Sequence, residues 1–447
     1  MKKLIILLVF FLLLTSVGFA QRGFQFRGAN DKKQTVKFKL INNLIVIPLE
    51  INGKKLSFLL DSGANKTILF NFSEKDTINL NNVEKVTLQG LGSGESVESL
   101  LSKNNQFKLN NLVSTNQNLY VILRDNFNIS SKMGITIHGI IGYNLLKNVI
   151  ARINYNTKQI DFYNPKYFKY PKCRKCETFP LEFYRNKPYI NVNVQLDTVG
   201  KEQIPVKVLI DSGGSDALWL FENTKGAIKT PIKNFKDILG EGLSGTIYGN
   251  RSKIPQISLQ KYVIKNPTAT FLDSISTHNA RKFKTRNGSI GGAILKRFKI
   301  WIDYTNKKIT FKKSASLSKP FYYNMSGLHI VYAGKELVKE AVKTTNSKGG
   351  NTDNTNDKKN TISMITSYHY VFYPAYEIDK VVKGSPAAIA GVLSGDKLLK
   401  VNGKKAHHYT LDQLMELFHT KPNKKIRLEV RRAGLKLTFE FQLKKRI

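Results

Sequence analysis

The 447-residue sequence has little cysteine, little acid and only one long apolar run. Its two cysteines, Cys173 and Cys176, lie three positions apart, which excludes a disulfide scaffold. No second Cys pair or neighbouring His completes a zinc site around them. A small disulfide closing a linker is the simplest expectation; a redox pair or half a zinc site are the sharper alternatives. The seven histidines show no metal-ligand spacing, and neither a metal nor another cofactor is expected. A phosphate-binding glycine loop, a Gly-x-Ser-x-Gly elbow and a Cys with a suitable His are all missing, which removes the chemistries that depend on them. Acids number 32 against 71 Lys plus Arg, a formal charge of +39. The surplus is spread over the chain and not gathered into a basic helix. It points to contact with an anionic envelope surface, and no nucleic acid is expected as partner.

What is present begins with 41% hydrophobic residues, enough for sizeable cores, and a length that suggests two or three domains. Lys2 and Lys3 precede the apolar run from Leu4 to Leu14, and small residues at Gly18 and Ala20 precede Gln21. Residues 1–20 read as a secretory signal peptide, with an uncleaved anchor as the other reading, although the run is short for a span of ~20 residues. No cysteine follows it to accept a lipid. The mature chain, +37 without Lys2 and Lys3, is expected outside the cytoplasm, in the periplasm or beyond the cell.

The chain repeats itself. Asp61-Ser62-Gly63-Ala64 returns 150 residues later as Asp211-Ser212-Gly213-Gly214, each after a strand-like apolar run. Gly90-Leu91-Gly92 and Gly240-Glu241-Gly242 both follow their aspartates by 29 residues. Gly139-Ile140-Ile141-Gly142 and Gly288-Ser289-Ile290-Gly291 follow at 78 and 77. Each precedes a short helix and a hairpin, Ile153 to Phe162 in one half and Ile302 to Phe311 in the other, with the same alternation. Four landmarks in one order mean a duplicated β-rich lobe: residues 37–164 and 189–313, joined by a linker at 165–188.

From residue 321 a third, small α+β domain follows, to residue 447. Ser385 and Pro386 start a short helix, Asn402-Gly403 makes a turn, and Thr410 with Gln413 forms a capping-box pattern before an apolar face of Leu411, Leu414, Met415 and Phe418. Thr344 to Thr361 reads as a polar loop with nothing to bury.

A duplicated lobe places Asp61 and Asp211 face to face across a pseudo-dyad. Two carboxylates that close cannot both ionise easily, so they hold one proton jointly and can activate a water between them. Ser62 and Ser212 can cross-link the two loops, and Gly63 and Gly213 let backbone approach where a Cβ would clash. The competing reading, that Asp-Ser-Gly is only a turn, is strong for one copy and weak for two in register.

At these residues the sequence resembles the aspartic peptidases of the pepsin and retropepsin type. The resemblance implies a two-lobed, pseudo-symmetric β-barrel fold, with Asp61 and Asp211 as catalytic pair. It implies flap hairpins at Gly90 and Gly92 and at Gly240 and Gly242, and supporting motifs at Ile141-Gly142 and Ile290-Gly291. Ser in place of the commoner Thr points to the retroviral-like and bacterial branch, Ser289 replaces an apolar residue, and the first flap lacks an aromatic. Residues 321–443 resemble a PDZ domain, through Gly327-Leu328-His329-Ile330, Gly384-Ser385-Pro386-Ala387 and Gly395 to Gly403. Backbone N–H groups at the Gly-Leu-His-Ile turn are then expected to hold a chain-terminal carboxylate, with the peptide added as a strand. A domain used only as a structural clamp is the other reading. The expectation is a monomeric aspartic endopeptidase acting on peptide or protein substrates, with a peptide terminus or strand as PDZ ligand. A catalytically inactive envelope scaffold that binds peptides is the alternative.

Overall fold

A computed structural model describes residues 23–28, 31–71, 77–90, 96–123, 128–196, 200–243, 245–349 and 360–447. The signal-peptide expectation for residues 1–20 and the flap residue Gly92 lie outside them. The chain is mostly β and forms two compact units, one of residues up to 321 (with 446–447 and without 130–135) and one of residues 130–135 and 322–445.

The first unit is built twice over. In its first half the strand Lys54–Leu60 runs parallel to Gly139–Ile141, Leu60 opposite Ile141, and Gly139–Ile141 is antiparallel to Ile68–Leu69. In the second half Gln203–Ile210 runs parallel to Arg286–Ile290, Ile210 opposite Ile290, and Arg286–Ile290 is antiparallel to Leu218–Phe221. Phe58, Leu59 and Leu60, like Val208, Leu209 and Ile210, are buried in unbroken runs, as central strands covered on both faces require.

The repeated hairpins meet. Ile150–Asn154 and Phe298–Asp303 pair antiparallel, with Ile150 opposite Asp303 and Arg152 opposite Trp301. Gln159–Tyr163 and Lys308–Lys313 flank them, giving a six-stranded sheet to which both halves contribute. Ile153, Ile302, Ile160, Ile309, Phe162 and Phe311 are all buried in it, register for register.

Two boundaries move. The edges of this sheet are Lys33–Lys37 and Cys176–Pro180. The first lobe therefore starts before residue 37: Val36 is buried, and Phe24 is fully buried against Phe107. The stretch read as linker is structured from Cys176, because Phe179 and Leu181 have apolar partners to cover, and the second lobe's sheet already begins within it, at Glu182–Tyr184 paired with Lys187–Gln195. Cys173 and Cys176 form a disulfide that ends on the first residue of the edge strand Cys176–Pro180.

In the second unit the helix Leu411–Phe418 carries the expected capping box: Gln413 N–H donates to Thr410 Oγ1 and Thr410 N–H to Gln413 Oε1. Leu411, Leu414 and Phe418 face inward. Ser385 caps the helix Pro386–Ile389. Of the stretch read as a polar loop, residues 344–349 and 360–361 are paired backbone, at the ends of the antiparallel strands Leu328–Gly349 and Asn360–Val381, and the residues between lie outside the described ones. No helix among the described residues is long and apolar enough to cross a membrane.

Candidate active site

Each parallel strand ends in an Asp-Ser-Gly turn held the same way. Asp61 N–H donates to the Ile141 carbonyl at 2.9 Å and Asp211 N–H to the Ile290 carbonyl at 3.0 Å. Gly63 N–H donates to Asp61 Oδ1 at 2.7 Å, and Gly213 N–H to Asp211 Oδ1 at 3.1 Å. The supporting glycines are required by close approach: a Cβ on Gly142 would stand 2.0 Å from the Asp61 carbonyl oxygen, and one on Gly291 would stand 2.4 Å from that of Asp216.

Four hydrogen bonds cross between the turns. Ser62 Oγ donates to the Ile210 carbonyl (2.7 Å) and accepts from Ser212 N–H (3.0 Å); Ser212 Oγ donates to the Leu60 carbonyl (2.7 Å) and accepts from Ser62 N–H (2.9 Å). Both serines are buried. Ser212→Ala should therefore leave the Ser62 N–H and the Leu60 carbonyl buried and unpaired, at a cost of roughly 2–4 kcal/mol measured by denaturant unfolding. An unchanged midpoint would show that the cross-link does not hold the halves together.

The grip brings the two carboxyl groups close together. Gly213 packs so closely that a Cβ on it would lie 2.3 Å from Asp61 Cγ, and one on Gly63 would lie 3.3 Å from Asp211 Oδ1. Burial pushes the Asp61 carboxyl up, and the neighbouring Asp211 pushes the same way. Lys187 and the Gly63 N–H oppose them, and the result is a rise to about 7.

Several residues around the pair were not singled out in the sequence. Lys187, half-buried, acts on both aspartates; burial lowers its pKa, as does Arg286, while the aspartates raise it. Arg286 is buried, packs 4.9 Å from the Phe221 ring centroid and interacts with Asp211. Its Nη2 donates to Ser289 Oγ at 2.7 Å, which explains a hydroxyl where the support motif is otherwise apolar. Tyr304, on the interlobe hairpin, donates to the Ser62 carbonyl at 3.3 Å; burial raises its pKa, and Asp61 adds to the rise.

Paired turns also cross the interface. Asn43 Nδ2 donates to the Ser215 carbonyl (2.9 Å), and Asn65 Nδ2 to the Arg185 carbonyl (3.1 Å). Asn42-Asn43 and Arg185-Asn186 all have positive φ, as tight two-residue hairpin turns demand. Only the asparagines carried any sequence signal for them.

Of the hairpins expected as flaps, Val83–Leu88 pairs antiparallel with Val97–Leu109, and Phe235–Gly242 with Gly245–Lys253. Gly240 and Gly242 lie on the second, with a register shift at Gly240, and Tyr248 on it is exposed. Gly90 meets the second hairpin, since a Cβ there would lie 2.6 Å from Leu243 Cβ. The base of that second hairpin is tied to the Asp211 loop by buried Arg251, paired with Asp237 at 2.6 Å and Asp216 at 3.0 Å.

Residues 47–145 match the aspartyl protease family. That match covers Asp61 and its supporting motif; the aspartyl protease reading of the half around Asp211 rests on the repeat and its geometry. Residues 377–432 match the PDZ domain. Among solved structures, an aspartic proteinase from Irpex lacteus is similar at 12% identity and a TM-score of 0.42, over 64% of this chain and 98% of that one. Among curated proteins, the carboxy-terminal processing protease CtpA of Bacillus subtilis (strain 168) is 39% identical over 54 residues, which is 12% of this chain and 12% of that protein.

The turn Gly327-Leu328-His329-Ile330 precedes the PDZ match. Gly327, Leu328 and Ile330 are buried and His329 half-buried; Gly327 has φ +81°. The N–H groups expected to be open to a carboxylate are occupied at two positions. Leu328 N–H donates to Ser326 Oγ at 3.0 Å, and Gly327 N–H to Asn324 Oδ1 at 3.2 Å. Side chains upstream of the motif close it, which the motif itself does not disclose.

Proposed function

We propose that the chain is an exported aspartic endopeptidase whose nucleophile is a water held between Asp61 and Asp211. The single observation carrying the reading is the close approach of two aspartates from equivalent, cross-linked turns. The pair shares one proton: Asp61, whose carboxyl is pushed up by burial and by Asp211, holds it, and Asp211 serves as the base. Asp211 takes a proton from the water as its oxygen bonds to the substrate carbonyl carbon, while Asp61 hydrogen-bonds the developing oxyanion. Collapse of the tetrahedral species breaks the C–N bond, and the pair returns the proton to the leaving amine. No covalent intermediate forms. The two hairpins serve as flaps over an extended peptide, one chain supplies both halves so a monomer suffices, and the PDZ domain raises the local concentration of a bound polypeptide.

The experiment is mass-spectrometric profiling of a degenerate peptide library across pH. The single proton survives only below the raised pKa, so kcat/KM should hold up to about pH 7 and then fall about tenfold per unit. A profile that rises through pH 7 would contradict the assignment. Internal cleavage sites, away from either end of the peptides, mark an endopeptidase; trimming from the ends would contradict that.

A further inference from the structure

The strands Leu328–Gly349 and Asn360–Val381 join the rest of their sheet only near the base, where Tyr376 pairs with Leu398 and Glu377 with Lys397. From the pair Lys335 and Pro374 outward, among the described residues, each strand pairs only with the other. A two-stranded ribbon buries too little to be stable in water by itself, so its apolar surface calls for a cover.

Residues opposite one another in the register share a face, and the two faces differ. The acids of the paired stretch, Glu336 and Glu340, both lie on one face, with half-buried Val338, Val371 and Tyr373. Near the base this face is covered from within its own unit: the Tyr373 ring stacks on that of His407, centroids 4.4 Å apart. Further out, His369 Nε2 lies 3.7 Å from Glu340 Oε2. The other face has no acid. It carries Leu337 and Lys339 on one strand and Met364, Tyr368, Tyr370 and Phe372 on the other. Tyr368, Tyr370 and Phe372 are 59%, 62% and 65% exposed, which is an uncovered aromatic stripe and not a scatter of single residues. Lys339 Nζ stands 4.1 Å over the Tyr368 ring, and Lys335 is exposed on the same face.

A second copy of the chain packed on this face would set Lys335 and Lys339 against their own equivalents, which like charge opposes. A bilayer surface has the complementary character. Tyrosine and phenylalanine rings settle at headgroup depth, and ammonium groups between them meet lipid phosphate. The formal charge of +39 draws the whole chain toward anionic lipid. We propose that the acid-free face of this ribbon docks on an anionic lipid bilayer, with Tyr368, Tyr370 and Phe372 at headgroup depth and Lys339 against lipid phosphate. The proposal stands apart from the peptidase chemistry, since a chain without activity would dock in the same way.

The test puts a reporter on each face of the full chain: Tyr370→Trp on the acid-free face and Ser367→Trp on the other. Both are titrated with brominated vesicles, made either of phosphatidylglycerol and phosphatidylcholine in equal parts or of phosphatidylcholine alone. Wild type, with its two native tryptophans, supplies the background. The reporter at 370 should be quenched by about half on anionic vesicles and the one at 367 markedly less, with roughly tenfold more lipid needed when the vesicles are neutral. Because quenching is read at the ribbon, attachment through any other part of the chain does not register. Quenching at 370 that is no greater than at 367, or that is equal on neutral vesicles, would overturn the proposal. Adding Tyr368→Ser and Phe372→Ser to the Tyr370→Trp chain should raise the lipid requirement at least about tenfold, and an unchanged titration would show that the aromatic face is not what binds. A blue shift at 370 that grows with protein concentration without lipid would assign the face to a second copy and overturn the proposal as well.

Discussion

Asp61→Asn and Asp211→Asn should each lower kcat/KM on a cleaved library peptide by at least about a thousandfold while leaving a folded protein. One carboxylate cannot both accept the proton of water and donate to the carbonyl oxygen, and ~4 kcal/mol of transition-state stabilisation corresponds to that loss. Asp61 also sets a pH dependence of stability, because its carboxyl is raised from 3.8 to about 7 by burial and by Asp211. A group whose folded pKa is raised contributes stability at low pH that is lost as pH rises through the folded value. Wild type should therefore lose on the order of 4 kcal/mol between pH 4 and pH 8 from this group, a dependence absent in Asp61→Asn. Unfolding midpoints against pH read this directly. Equal slopes in the two proteins, or residual cleavage near wild-type rate in either variant, would remove the pair from the chemistry. A scaffold that only binds peptides predicts the same empty cleavage profile for all three proteins.

Gly142→Ala should do comparable damage without touching a carboxylate. Its φ of −143° is open to any residue, so the objection is space: the new Cβ would stand 2.0 Å from the Asp61 carbonyl oxygen and 2.4 Å from that of Ala64. Both oxygens belong to backbone, and neither can swing aside as a side-chain end would. The Asp61 turn must shift, which costs roughly 3 kcal/mol and moves the carboxyl away from its partner. Chemical denaturation and a residual kcat/KM below about one hundredth of wild type are the expected readings. Because Gly291 occupies the equivalent place beside Asp216 and Gly214, Gly291→Ala should behave alike. A tolerated alanine at either position would mean that the turn adjusts freely and that the support motif does not fix the aspartates.

The repeat was legible because duplication preserved what the backbone needs. Asp61 and Asp211, Ile141 and Ile290, and the hairpins that become the middle of the shared sheet occupy the same places in both halves. What was hidden lies where the halves differ. Lys187 and Arg286 put positive charge near the pair at positions with no charged counterpart in the first lobe's motifs, and nothing local announces that they converge. Lys33–Lys37 is a short, largely polar strand whose single buried residue, Val36, gives no periodic signal until a partner edge exists. Cys176–Pro180 sits among prolines and lysines and was read as a connector for the same reason. In the second unit a motif was matched correctly while its donors were occupied by Asn324 and Ser326, side chains outside the motif.

The most direct measurement is a carbon-13 NMR pH titration of aspartate carboxyl groups in the full chain, with Asp61→Asn and Asp211→Asn used to assign the pair. One proton held between opposed acids requires a carboxyl signal that stays protonated through pH 5 and titrates near pH 7, and that moves to lower pH when Asp211 is replaced. Two signals already fully ionised at pH 5 would contradict it.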